Sequence, residues 1–282
     1  MKLIPIFDVG IQVDDDAFKR AIEKGARFIE WERADQVPRT KTVQELYPLA
    51  KDTKIMLSVV WPDKHVAFPD FFEKTNKTIE WWIDEFVEFH EKLEYDGIWI
   101  DMNEPAAFGT NEDRPWYFDN PDHPNITQLK CPVDTSKQDS EWDMPPYKTR
   151  AVWRYGEVCV VWLLACCCSR ASSVPKFADT SSVSRCSNVA LAQRWHGAVT
   201  DNEGIRMWFS SFFDCHTSLF TSFSYHFQNY YLSSKTMCMC GIQRGGDYRH
   251  YDVKNLYGWS EAKATLQAQY KATKKRGVVV SR

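Results

Sequence analysis

The string Gly97-Ile-Trp-Ile-Asp101-Met-Asn-Glu104-Pro105 places two carboxylates, an amide and a Trp within a few residues. It reads as a strand buried on both faces that ends abruptly on Asp101, Asn103 and Glu104. Apolar neighbours (Ile98, Trp99, Ile100, Met102) around a carboxylate at a strand end supply low dielectric and a fixed backbone, conditions that keep an acid ionised and aimed. A lone Asp there would simply cap the next loop; this crowding of polar groups favours chemistry. A second string, Pro5-Ile-Phe7-Asp8-Val-Gly10, is again a strand ending on Asp. A third, Ser58-Val-Val-Trp61-Pro62 followed by Phe68-Pro69-Asp70, ends on Trp and then Asp. Carboxylates accept hydrogen bonds from paired hydroxyls, and Trp stacks on a pyranose face. Convergence of the three strings therefore suits a sugar, and carboxylates flanking a glycosidic bond are the usual means of cleaving it.

The elements that must hold these groups alternate along the chain. Residues 3–7, 55–61, 97–101 and 278–280 are apolar runs that predict strands. Residues 15–24 have helical spacing with acidic residues in the first turn, as the helix dipole favours. Residues 78–93 place Trp82, Phe86, Phe89 and Leu93 at steps of three and four, an amphipathic helix. Residues 260–275 predict another helix, stopped by Gly277 after Lys274, Lys275 and Arg276. Strand and helix in alternation argue for parallel β/α units, in which catalytic groups sit at the C-terminal strand ends.

The chain has 282 residues, 44% apolar and 26% charged, which is globular composition and excludes a disordered or fibrous chain. With 35 Lys+Arg against 38 Asp+Glu, no basic stripe points to nucleic acid. No run reaches the roughly 18–20 apolar residues of a membrane span; residues 158–168 come nearest. The N-terminus is too short in apolar residues for a secretory signal, and the chain reads as starting inside a domain. Asp14-Asp15-Asp16 is a helix start, not a calcium loop. His250 and Asp252 have no nucleophile nearby in sequence, and Gly245-Gly246-Asp247 is a turn.

Residues 158–228 break the pattern. They hold six of the nine Cys (Cys159, Cys166, Cys167, Cys168, Cys186 and Cys215) and few charges, and helical or strand periodicity disappears. The Cys spacing does not match a zinc site. Val158-Cys159 is encodable as an intron donor, 218–223 as a pyrimidine tract and Phe227-Gln228 as an acceptor, in that order. The segment reads as an unrelated insertion, of the kind a translated, retained intron produces; a stop-free frame of this length is the feature that favours a genuine surface insertion. Its removal would rejoin Glu157 to Asn229.

The sequence resembles glycoside hydrolase family 31, in particular its maltase-glucoamylase, sucrase-isomaltase and lysosomal α-glucosidase group. The resemblance rests on WIDMNEPAAF (99–108), KLIPIFD (2–8), the VWP and FPD segment (60–70), LSSKTMCM (232–239), YRHYDVKNLYGWS (248–260) and RGVVVSR (276–282). It covers residues 1–157 and 229–282. It implies an α/β chain that is part of a (β/α)8 barrel, with strands three and four in 1–157 and strand five reached in 229–282. The implied activity is that of a retaining α-glucosidase acting on terminal α-linked glucose of maltose-like oligosaccharides. Asp101 matches the nucleophile, which would form a covalent glycosyl-enzyme. Asp8 matches a carboxylate that holds sugar hydroxyls. Trp61, Trp99 and Met102 match pocket residues, and Arg282 matches an arginine that contacts substrate. Cys131 and Cys238 match a pair bridged in secreted relatives. Asn76-Lys-Thr78 and Asn125-Ile-Thr127 read as glycosylation sequons. The family needs no metal or organic cofactor, and its members are secreted, lysosomal or attached to the cell surface.

The chain also departs from the family. Val9 stands where a Pro is usual. The general acid/base belongs to a Gly-Asp segment a little over a dozen residues beyond the position of Arg282, and the chain as given does not reach it; Glu104 is a secondary candidate for that role. The expectation is a chain that carries the nucleophile and the sugar-holding carboxylate but shows no turnover alone. The alternative is a non-catalytic carbohydrate-binding or inert fragment, and a third reading is a relative acting on another α-linked substrate, such as an α-xyloside.

Overall fold

The computed structural model describes residues 2–61, 63–146 and 231–281, and the backbone of 161–165 and 219–223. Arg282, the Cys cluster of 159–215 and most of 158–228 lie outside the described residues. The chain divides into two compact units, Met1–Gly156 with Gln228–Arg282, and Glu157–Phe227.

The first unit begins with β1 (Ile6–Asp8), β2 (Ile11–Gln12), α1 (Asp16–Lys24), β3 (Leu57–Val59), β4 (His65–Ala67), α2 (Lys77–Lys92) and β5 (Ile98–Asp101). The second contributes β6 (Val161–Ala165) and β7 (Leu219–Phe223), an antiparallel pair running from Val161 opposite Phe223 to Ala165 opposite Leu219. The first unit resumes with β8 (Ile242–Gln243), β9 (Tyr248–Arg249), α3 (His250–Val253), α4 (Tyr257–Thr273) and β10 (Val279–Ser281).

The parallel sheet has the order β1-β5-β10. Ile6 pairs with Trp99 and Asp8 with Asp101; on the other edge, Val279 pairs with Ile98 and Ser281 with Ile100. One face is packed by helices. Ile98 and Ile100 are fully buried, and Phe7 meets Phe86, Phe89 and Tyr95 at ring distances of 4.7, 5.4 and 6.1 Å. The other face is open: Ile6 is 52% and Trp99 42% exposed. The strand 97–101 is thus buried on one face only, a correction to the sequence reading. The period-2 alternation sends Ile98 and Ile100 to the helices and Trp99 and Asp101 to the open side.

Local chemistry explains the helices. Asp15 caps α1 by accepting from the Ala17 N–H at 2.7 Å, and Gly25, at φ 76°, closes it in the left-handed conformation. Helix α2 buries Trp81, Trp82 and Phe86, and Trp82 Nε1 donates to Thr265 Oγ1 on α4 at 2.9 Å. Phe89 and Leu93, expected on the same buried stripe, are 37% and 45% exposed: Phe89 packs on Phe7 with one edge only, and Leu93 is the C-cap beyond α2.

Two further expectations are corrected. Residues 55–61 do not join the parallel sheet. Their strand, β3, pairs antiparallel with β4 in a separate sheet of order β2-β4-β3. An apolar run says that a strand is buried, not which neighbour it pairs with. Helix α4 ends at Lys274, left-handed at φ 54°, ahead of Gly277. A Cβ at Gly277 would fall 1.8 Å from the Gln269 Oε1, so this glycine permits a close approach to α4.

Candidate active site

Asp8 ends β1 and Asp101 ends β5, and the two are direct register partners. Their backbones are therefore about 4.8 Å apart, with both side chains on the open face of the sheet. Asp101 Oδ1 is buried and finds no hydrogen-bond partner among the described residues. An acceptor held without a donor in a half-buried setting is a group with capacity left for a ligand. Asp8 is engaged differently: Trp61 Nε1 donates to its Oδ2 at 2.5 Å.

Trp61 follows β3 with φ 48° and is 57% exposed, so its ring lies open while its N–H is held by Asp8. Trp99 shares the open face with Asp101, two residues before it on β5. Met102 turns the chain out of the strand at φ 57° and is partly buried. Asp8, Trp61, Trp99, Asp101 and Met102 are thus brought to one end of the sheet. Glu104 is exposed, and its charge acts on Lys254. Asp70, the third strand-end carboxylate of the sequence, does not join them. It is buried, accepts from the N–H of Phe72 at 3.0 Å and of Arg244 at 2.6 Å, and staples two loops; burial pushes its pKa up to about 6.

Cys131 and Cys238 are joined by a disulfide, with Cα atoms 5.2 Å apart. Asn76 and Asn125 are both exposed; Thr78 of the first sequon is buried and bonded to the backbone of Arg27. Among the described residues no cluster of His, Cys, Asp and Glu could hold a metal, and no helix is long and apolar enough to cross a membrane.

Two side chains support the site: Asn103, which the sequence already placed in the strand-end string, and Glu261, which carried no signal of its own. Asn103, 7% exposed, donates from Nδ2 to Ser281 Oγ at 3.0 Å and ties β5 to β10 behind the site. Gly258 lets α4 press on it, since a Cβ there would sit 3.1 Å from the Asn103 amide. One turn along α4, Glu261 is fully buried. Burial raises its pKa well above the usual carboxylate range; the Asn103 amide opposes this, and the Asp8 charge adds to it. The folded protein therefore keeps a proton that the unfolded chain releases above about pH 4.3. Stability from this group is complete below that pH and declines as pH rises toward the folded pKa. Glu261→Gln, neutral at every pH, is expected to gain stability relative to wild type as pH rises from 4.5 to 8. Denaturation midpoints across that range check this; parallel pH profiles would contradict it.

Parallel strands that end on register-paired carboxylates, with helices packed on one face, are the arrangement of the β/α-barrel class. The chain belongs to glycosyl hydrolase family 31: the model of that family's TIM-barrel domain matches residues 1–282, a range that encloses 158–228. The chain is 28% identical over 292 aligned residues to intestinal sucrase-isomaltase of Suncus murinus, an alignment spanning all of this chain and 11% of that protein. It is 38% identical over 93 residues to lysosomal alpha-glucosidase of Rattus norvegicus, covering 33% of this chain and 7% of the relative. It is 36% identical over 110 residues to Alpha-xylosidase 1 of Arabidopsis thaliana, covering 35% and 10%. The chain thus spans about a tenth of the length of these curated relatives or less.

Proposed function

We propose that residues 1–282 form the nucleophile side of a retaining α-glucosidase and bind terminal α-linked glucose of maltose-like oligosaccharides. The observation that carries this reading is the register pairing of Asp8 with Asp101 under an open Trp61. In this reading Asp8 accepts from two sugar hydroxyls and is held in place by the Trp61 N–H. The rings of Trp61 and Trp99 cover apolar sugar surface. Asp101, with an oxygen that has no hydrogen-bond partner among the described residues, attacks the anomeric carbon to give a glycosyl-enzyme that water then cleaves.

Retaining hydrolysis needs a second carboxyl group about 5–5.5 Å from the first to protonate the leaving oxygen. Asp8 is tied to Trp61, and the Glu104 charge acts on Lys254, so neither is assigned that task. Residues 1–282 alone are accordingly assigned binding without turnover of ordinary α-glucosides, and the open sheet face with exposed Ile6 and Trp99 is assigned to a larger barrel interior. Segment 158–228 is assigned the part of an unrelated insertion.

Saturation-transfer NMR tests the reading. Maltose is expected to receive saturation from the chain, and a β-linked disaccharide to receive none. Trp61→Phe keeps a ring but removes the donor to Asp8, and should weaken maltose binding roughly tenfold, the scale of one hydrogen bond to a charged group. Equal binding of both disaccharides, or indifference to Trp61→Phe and Asp8→Asn together, would refute it. A xyloside bound more tightly than maltose would favour the α-xyloside reading, which the Arabidopsis relative keeps in view.

A further inference from the structure

The aromatic surface does not stop at Trp61. Phe108 lies 5.4 Å from Trp61 between ring centroids, and Trp116 lies 6.3 Å beyond Phe108. His123 stands edge-on to Trp116 at 5.4 Å and reaches toward the exposed Asp63 at 3.8 Å. Trp116 is 55% exposed, close to the 57% of Trp61, whereas its neighbour Tyr117 is fully buried. A half-open Trp at the end of a ring series that starts on a sugar-holding carboxylate is a surface built for a flat, partly apolar ligand.

The loop carrying this ring is fixed. The Phe108 N–H donates to Val59 O at 2.7 Å, which sets it beside β3. Gly109, at φ 68°, lets Pro115 approach to where a Cβ would be 2.7 Å away. The N–H of Phe118 closes a turn on Pro115 O at 2.9 Å, and the Asn111 side chain holds the Cys131 N–H at 2.7 Å, next to the disulfide. The Asp119 N–H is taken by Asn125 Oδ1 at 2.9 Å. Such a loop presents Trp116 already in place, so little ordering cost attends binding.

The charges around the rings choose the ligand class. Asp63 is acidic, and Arg114 is paired with Asp119. Lys130 likewise lies against Asp113, and a loop whose cations are held by its own carboxylates favours an uncharged ligand over a nucleotide. Apolar ring faces with a rim of hydrogen-bonding groups suit an uncharged, hydroxyl-rich chain. We propose that Trp116, reached from Trp61 by way of Phe108, forms an outer subsite for a further glucose unit of an α-linked oligosaccharide, so that affinity increases with chain length. This rests on the sugar-binding reading of Asp8 and Trp61.

The test is the affinity of glucose, maltose and maltotetraose for the chain, for Trp116→Ala and for Trp116→Phe, by ligand-observed NMR titration. Trp116→Ala is expected to weaken maltotetraose roughly three- to tenfold, the scale of one aromatic contact, and to leave glucose and maltose unchanged. Trp116→Phe, which keeps a ring and guards against a folding artefact, should recover most of the loss. Equal weakening of all three sugars, or of none, overturns the outer subsite alone. Failure of wild type to bind any of them overturns this inference together with the functional reading beneath it.

Discussion

Asp101→Asn is expected to reduce hydrolysis of an α-glucoside by at least about four orders of magnitude wherever residues 1–282 operate within a complete barrel. The reason is geometric and chemical. Both steps of a retaining mechanism pass through the nucleophile, so its loss removes the covalent route rather than slowing one stage. Asn keeps the volume and one acceptor, so the register with Asp8 and the packing of Ile98 and Ile100 beneath should persist, and sugar binding should fall much less than turnover. Glu104→Gln provides the contrast. That carboxylate is exposed with Lys254 as its electrostatic neighbour, and its loss should leave most of the rate. Steady-state kinetics on both variants check the pair. Comparable losses would move the chemistry away from the strand end.

The second large effect concerns stability. Cys131 and Cys238 close a loop with a sequence separation of 107 residues, and both are buried in the core. Cross-linking that much chain removes considerable freedom from the unfolded state, and loss of a native bridge typically costs about 2–5 kcal/mol. Cys131→Ala combined with Cys238→Ala is expected to lower unfolding stability by that amount, read from denaturant curves. Reductant should lower the wild type similarly and leave the double variant unmoved. Cys240, two residues from the bridge, is buried and free; burial pushes its thiol well above the usual range, so it forms little thiolate and is a poor partner for exchange. A wild type indifferent to reductant, with free thiols at 131 and 238, would contradict this account. The bridge also anchors the loop from Asn111, so its loss should disturb the outer aromatic surface before the strand-end carboxylates.

What was legible in the sequence followed local rules. Asp15 and Gly25 bracket α1 because capping is decided within one turn of chain. The juxtaposition of Asp8 and Asp101 was legible because each ends an apolar run, and parallel pairing then brings strand ends together. The pairing of β3 was not legible, since an apolar run carries no direction. Nor was the open face of β5: Trp99 looks like core in a string, and only the sheet shows that helices cover the other side. The bond of Asn103 to Ser281, the buried Glu261 and the series of Trp61, Phe108 and Trp116 join separate stretches that meet only after folding, so no spacing announces them. In the sequence Gly277 marks only a helix stop, whereas in the fold its space is required by Gln269.

The measurement closest to the central claim is covalent trapping on the chain itself. An activated 2-fluoro-α-glucosyl fluoride carries a leaving group that departs without a general acid, so the attack needs only the nucleophile. Intact mass and peptide mapping of residues 1–282 after incubation should show one fluoroglucosyl adduct, on the peptide containing Asp101, protected by maltose and missing in Asp101→Asn. An adduct on Glu104 or Asp8, or equal labelling of Asp101→Asn, would contradict the assignment of Asp101 as the attacking group.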